Sequence, residues 1–134
     1  SMKHPPAVNS FLIADQVFRQ QEGGKWCVIG IFDKITARQY PCYHPSLGLY
    51  LQLADAEGEF DLNVEFHDSS GKLISRMGGI RVSFPSRLME GSVGFQTHHL
   101  PIPAPGTYFF HVLFDNQLTA TNIRLQAELA GGSS

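Results

Sequence analysis

Any chemistry in this chain must come from its histidines, carboxylates, cysteines and aromatic rings, and their spacing limits what they can do together. The histidines are His4, His44, His67, His98, His99 and His111. No two of them are set at HxH or HxxxH spacing, so no same-face chelate is written in the sequence. His98 and His99 are neighbours, and a regular strand sends neighbours to opposite faces. The best imidazole–carboxylate pair is His67 with Glu65. Scattered surface or half-buried histidines are the expectation, and neither a metal set nor a cofactor is assigned.

Asp15 interrupts the apolar run from Ser10 to Phe18. A carboxylate there costs several kcal/mol, roughly, unless it is paired or hydrogen-bonded. Asp15 is therefore expected to be a structural polar residue, accepting bonds from loop backbone or an arginine and pinning a crossing. No nucleophile is positioned beside it, so no acid–base role follows. Asp55, Glu57, Glu59, Asp61 and Glu65 lack the ordered loop of a calcium site and read as a solvated strand face. Nucleophile-elbow, dinucleotide, phosphate-loop and HExxH motifs are all missing. No catalytic residue is named, and the expectation is that the chain is not an enzyme. Cys27 and Cys42 form no CxxC pair and are expected as free thiols.

Two aromatic groups remain. Tyr40, Tyr43 and His44 lie in the long irregular segment from Asp33 to Ser46. Tyrosine combines apolar area with a polar tip, which suits partner binding; the competing reading is that these rings cap one end of a core. The second group is Phe109, His111 and Leu113, which alternate with Tyr108, Phe110, Val112 and Phe114. If the latter face the core, the former make an unusually apolar outer face. That face is either covered by the N-terminal segment or used for self-association.

Strands must carry these groups. Glu59 to His67 alternates without a break, with Phe60, Leu62, Val64 and Phe66 on one side. Leu47, Leu49, Leu51 and Leu53 do the same, and the short link Ala54 to Gly58 predicts a hairpin between the two runs. Tyr108–Phe114 and the run ending at Leu129 predict a second hairpin, turning at Asp115-Asn116-Gln117. Pro85 to Gly91 has room for one helical turn. Turn signals recur often enough for about eight strands. The fold expected is an all-β, two-sheet antiparallel sandwich, immunoglobulin-like or jelly-roll-like in connectivity. Residues 8–130 form a single domain in this reading. Residues 1–7 are expected to be a disordered N-terminus in which Ser1 is a tag scar, and 131–134 a flexible tail.

Composition excludes some classes. The chain is 43% hydrophobic and 16% charged, which suits a folded protein. A net charge of -2 leaves no polybasic footprint for nucleic acid. No apolar run approaches the roughly 20 residues of a membrane helix. With no signal-like stretch after Met2, the expected location is the cytoplasm.

Several stretches together carry a family resemblance: Ala14-Asp15-Gln16-Val17, Gly24-Lys25 leading to Ile29-Gly30-Ile31-Phe32-Asp33-Lys34-Ile35, His44-Pro45-Ser46-Leu47 and Asp55-Ala56-Glu57-Gly58-Glu59. With Pro105-Gly106-Thr107-Tyr108-Phe109-Phe110 and Asp115, the chain resembles a family of small bacterial proteins of unknown function. The resemblance implies an immunoglobulin-like β-sandwich of bacterial origin and brings no activity or site. With no catalytic set and a surplus of apolar residues, the expected function is non-enzymatic binding of a protein partner or of a second copy. A small-ligand or carbohydrate module, with a groove lined by Trp26 or the loop tyrosines, is the alternative. A metal-dependent enzyme on a jelly-roll scaffold is a more distant one.

Overall fold

A computed structural model of the chain describes residues 3–131. Two alternating runs, Leu47–Leu53 and Phe60–Phe66, bury one full face each. A strand that buries one whole face needs an apolar layer opposite it. Here the two runs supply that layer to each other from different sheets. The expected hairpin between them is thus corrected to a corner between sheets. Asp55 and Gly58, both at positive φ, make the turn.

Nine strands are formed among the described residues: β1 (Ala7–Arg19), β2 (Trp26–Ile31), β3 (Lys34–Ala37), β4 (Cys42–Ala54), β5 (Gly58–Asp68), β6 (Leu73–Phe84), β7 (Gly91–Ile102), β8 (Gly106–Phe114) and β9 (Gln117–Leu129). One sheet has the order β2-β1-β4-β7 and the other β3-β9-β8-β5-β6. The fold class is the expected β-sandwich, with one strand more than anticipated. The extra strand is β3, inside the segment read as irregular. Ile35 is its one buried residue, too little to show as alternation. It runs parallel to β9, whereas the other paired strands are antiparallel.

The connectivity is immunoglobulin-like. Tyr108 bonds back to Ala104, donating to its carbonyl at 2.6 Å and accepting from its amide at 3.1 Å, which is the tyrosine corner of that fold. The β8–β9 hairpin turns at Asp115 and Asn116, both at positive φ, as a two-residue hairpin of the favoured twist requires. The β5–β6 loop is tied by Asp68, whose Oδ1 accepts from the Ser70 amide and hydroxyl and the Lys72 amide. Pro85 to Gly91 holds a turn rather than a helix, closed by Met89 N donating to Ser86 O at 3.1 Å.

β1 changes partner along its length. Its first half pairs with β4, and from Ala14 onward it pairs with β2. Beyond Ala14 it curls over the outside of β4 and β7, and glycines make this possible. A Cβ on Gly48 would lie 2.6 Å from Val17, and one on Gly94 would lie 2.6 Å from both Val17 and Trp26. Gln96 staples the crossing. Its side chain accepts from Val17 N at 3.1 Å and donates to Asp15 O and Ser46 Oγ, both at 2.8 Å.

Within the N-terminal segment expected to be disordered, residues 3–7 are instead held against the domain. Ala7 already belongs to β1, His4 and Glu57 exchange two backbone hydrogen bonds at 2.9 and 3.0 Å, and Pro6 is buried. Lys3 reaches Asp115 at 2.9 Å. The corner after β4 offers free backbone groups, and His4 takes them up. Ser1, Met2 and residues 132–134, where the scar and most of the tail were expected, lie outside the described residues. No helix among the described residues is long and apolar enough to cross a membrane.

Candidate functional site

The outer face of the five-stranded sheet carries the main candidate. Tyr108, Phe110, Val112 and Phe114 are buried in the core. The two-residue period therefore turns Phe109, His111 and Leu113 outward, where all three are half-buried. Register supplies their neighbours. His67, Glu65 and Asn63 of β5 lie opposite Phe109, His111 and Leu113. On the other side Arg124 faces Phe109 and Leu118 faces Leu113. Leu118 is 57% exposed, so Leu113 and Leu118 form an apolar pair open to solvent. Among the described residues the N-terminal segment does not cover this face, because β1 belongs to the opposite sheet.

Beside the apolar stripe lies a polar cluster. Glu65 and His67 are two residues apart on β5 and share a face, and β8 brings His111 alongside. One ligand atom from each of Glu65, His67 and His111 lies within 4.8 Å of the others. His67 Nε2 is 3.0 Å from Glu65 Oε1, and His67 Nδ1 is 3.1 Å from the Gly71 carbonyl. The two imidazole rings stack at 4.2 Å between centroids, tilted by 20°. The second Glu65 oxygen lies 3.7 Å from Arg76 Nη1, and Arg76 Nη2 also donates to Asn116 Oδ1 at 2.7 Å. The His67 and Glu65 side chains are only 14% and 17% exposed. Burial lowers the His111 imidazole below its ordinary range. The neighbouring His67 acts in the same direction, and Glu65 opposes both. Chemically the cluster can hold a cation.

The other expected site residues do not converge. Tyr40 packs partly against the core and donates from its hydroxyl to the Glu128 carbonyl at 2.6 Å. It caps an end of the sandwich, and burial raises its phenol above the usual value. Tyr43 is 68% exposed. His44 is half-buried and packs on Phe32 at 5.8 Å between rings. Burial lowers its imidazole, with the Asp15 charge and a Ser46 backbone bond opposing. Tyr43 and His44 are successive strand residues and point apart, so the three rings share no patch. Asp15 is exposed, against the expectation of a bonded carboxylate. Its carboxylate lies against Gly30, where a Cβ would come within 2.5 Å. The crossing is pinned instead by the Asp15 main-chain carbonyl, through Gln96. Cys27 and Cys42 are free thiols, as expected. Burial raises the Cys42 thiol and keeps its thiolate scarce.

A cleft of about 410 Å³ opens where β6 and β7, the edge strands on one side of the sandwich, diverge. Its walls include Trp26, Ile80, Val82, Phe84, Met89 and Val93. Trp26 is the possible groove residue of the sequence, which carries no local signal for the β6 and β7 walls, since only the topology brings them together.

The chain belongs to a family of unknown function (DUF6941), whose sequence profile matches residues 9–127. No curated protein matches it. Among solved structures it is similar to the Pseudomonas fluorescens alkylpurine DNA glycosylase AlkC bound to DNA containing an abasic site analog, with a TM-score of 0.52 and 12% identity. That likeness covers 71% of this chain and 27% of the glycosylase, so the chain spans about a quarter of that protein's length. At this identity it shows the fold alone. An immunoglobulin-like protein from Pseudomonas aeruginosa aligns over 92% of this chain and 97% of its own, with a TM-score of 0.46 and 12% identity.

Proposed function

We propose that this family member is a non-enzymatic protein-interaction module that binds a second copy of itself through the outer face of its five-stranded sheet. The observation that carries the reading is the apolar stripe of Phe109, Leu113 and Leu118 on a face that no element among the described residues covers. Open stripes of this kind mark interaction surfaces. The middle of the stripe runs along one strand, β8, which suits a copy better than an unrelated partner. Glu65, Asp61 and Glu59 line the β5 side, where Arg76 and Arg81 of β6 already pair with them, and Arg124 lies on the β9 side of β8. A two-fold axis along β8 sets the β9 row of one copy against the β5 row of the other, which is the self-complementarity that a symmetric dimer needs. The two free thiols fit a reducing compartment, which supports a cytoplasmic location.

Light scattering of untagged protein across a wide concentration range tests the reading. A mass rising from one chain to two supports it, and a strict monomer throughout overturns it.

A second reading rests on the cleft between β6 and β7. Its volume suits a small ligand, and Trp26, the single tryptophan, lies in its wall. A small-ligand or carbohydrate module would show saturable changes in Trp26 fluorescence on titration. Flat titrations across sugars and small apolar ligands would remove this reading.

A further inference from the structure

We propose that Glu65, His67 and His111 form a binding site for a divalent transition-metal ion of the zinc class. This stands independently of whether the face docks a second copy.

Placement comes first. Glu65 and His67 share a face of β5, and His111 lies opposite Glu65 on the adjacent strand. All three sit on paired central strands, so the backbone fixes their spacing, and their ligand atoms lie within 4.8 Å of one another. Sites on strands hold geometry better than sites on loops.

Hydrogen bonding gives the second argument. The Gly71 carbonyl can only accept, so His67 Nδ1 carries its hydrogen toward it. Nε2 then faces Glu65 Oε1, which as a carboxylate oxygen is another acceptor, at 3.0 Å. The nitrogen left free to bind an ion is therefore the one that faces the Glu65 carboxylate. A backbone carbonyl on the far nitrogen is also the usual outer partner of a metal-binding histidine.

The ligand types choose the ion. Two imidazoles and one carboxylate suit zinc and its neighbours, whereas calcium and magnesium require oxygen ligands in greater number. Three protein ligands leave a fourth position open toward the sheet face, as in open zinc sites. His111 now stacks on His67 rather than converging with it. Ligation therefore requires His111 to turn about its side-chain torsions toward the point shared by Glu65 and His67. Arg76 steadies the second Glu65 oxygen, and its charge holds the affinity below that of a site without it.

The test is zinc chloride titrated into untagged, chelator-treated protein, followed by calorimetry and by the imidazole resonances of all six histidines. The expected result is saturable binding of one ion per chain, shifting His67 and His111 while His4, His44, His98 and His99 stay in place. Glu65→Gln and His111→Gln should each weaken binding by more than about tenfold. His98→Gln, away from the cluster, should leave it unchanged. Cobalt chloride should give the visible absorption of a low-coordinate site. Circular dichroism checks that each variant is folded, and a substitution at either Glu65 or His111 suffices if the other unfolds. No saturable binding, shifts centred on His98 and His99, or full binding by a folded Glu65→Gln or His111→Gln variant would overturn the proposal.

Discussion

Tyr108 and Ala104 are joined by two hydrogen bonds: the tyrosine hydroxyl donates to the Ala104 carbonyl at 2.6 Å and accepts from its amide at 3.1 Å. The ring of Tyr108 is buried and stacks on Phe66 at 5.0 Å. The corner therefore ties the connector before β8 to the core. Tyr108→Phe keeps the ring and removes both bonds. Ala104 is exposed and its freed groups turn to water, so the expected cost is about 1–2 kcal/mol. Urea unfolding should show a lower midpoint at unchanged slope. An unmoved midpoint would show that the corner does not stabilise the fold.

Gln96 replaces backbone pairing where β1 leaves β4. Gln96→Ala breaks its bonds to Val17 N, Asp15 O and Ser46 Oγ together. The expected loss is about 1–3 kcal/mol. Hydrogen exchange should quicken at the Val17 amide while Leu49 and Val64 stay protected until global unfolding. Unchanged exchange at Val17 would contradict the staple.

His44 should make stability depend on pH. Burial holds its folded imidazole below the ordinary value, so the unfolded chain binds the proton more readily. As pH falls through about 6.5, the unfolded state gains protons first and stability drops. The loss levels off below the folded value, where both states are protonated. His44→Gln should flatten this part of a plot of thermal midpoint against pH. A midpoint that rises on acidification in that window, and does so only when His44 is present, would reverse the sign argued here.

The alternation in β4, β5 and β8 made the core legible, because each of these strands buries one face completely. What the alternation left open was the partner of each strand. Leu47–Leu53 and Phe60–Phe66 look the same whether they pair edge to edge or stack face to face, and a five-residue link permits both. β3 was hidden because Ile35 alone faces inward. The outward set of Phe109, His111 and Leu113 followed from the two-residue period. Its link to Glu65 and His67 did not, since it depends on the β5–β8 register between segments far apart in sequence. For Tyr40 the sequence left binding and capping both open, because nothing local shows that its hydroxyl reaches Glu128. Gln96 is an ordinary strand residue by type. Gly48 and Gly94, which let β1 and β2 cross the sheet, were the nearest thing to a signal for it.

The claim that one sheet face joins two copies meets its most direct test in sedimentation equilibrium of three proteins. These are the natural sequence, Leu113→Glu on the proposed face, and Ile31→Glu on the other sheet, where Ile31 is 63% exposed. A charge at Leu113 would be buried unpaired in the dimer and should weaken association by about 3–5 kcal/mol. The expected result is a dimer for the natural sequence and for Ile31→Glu, with Leu113→Glu shifted toward monomer. A dimer that survives Leu113→Glu and is lost in Ile31→Glu would contradict it.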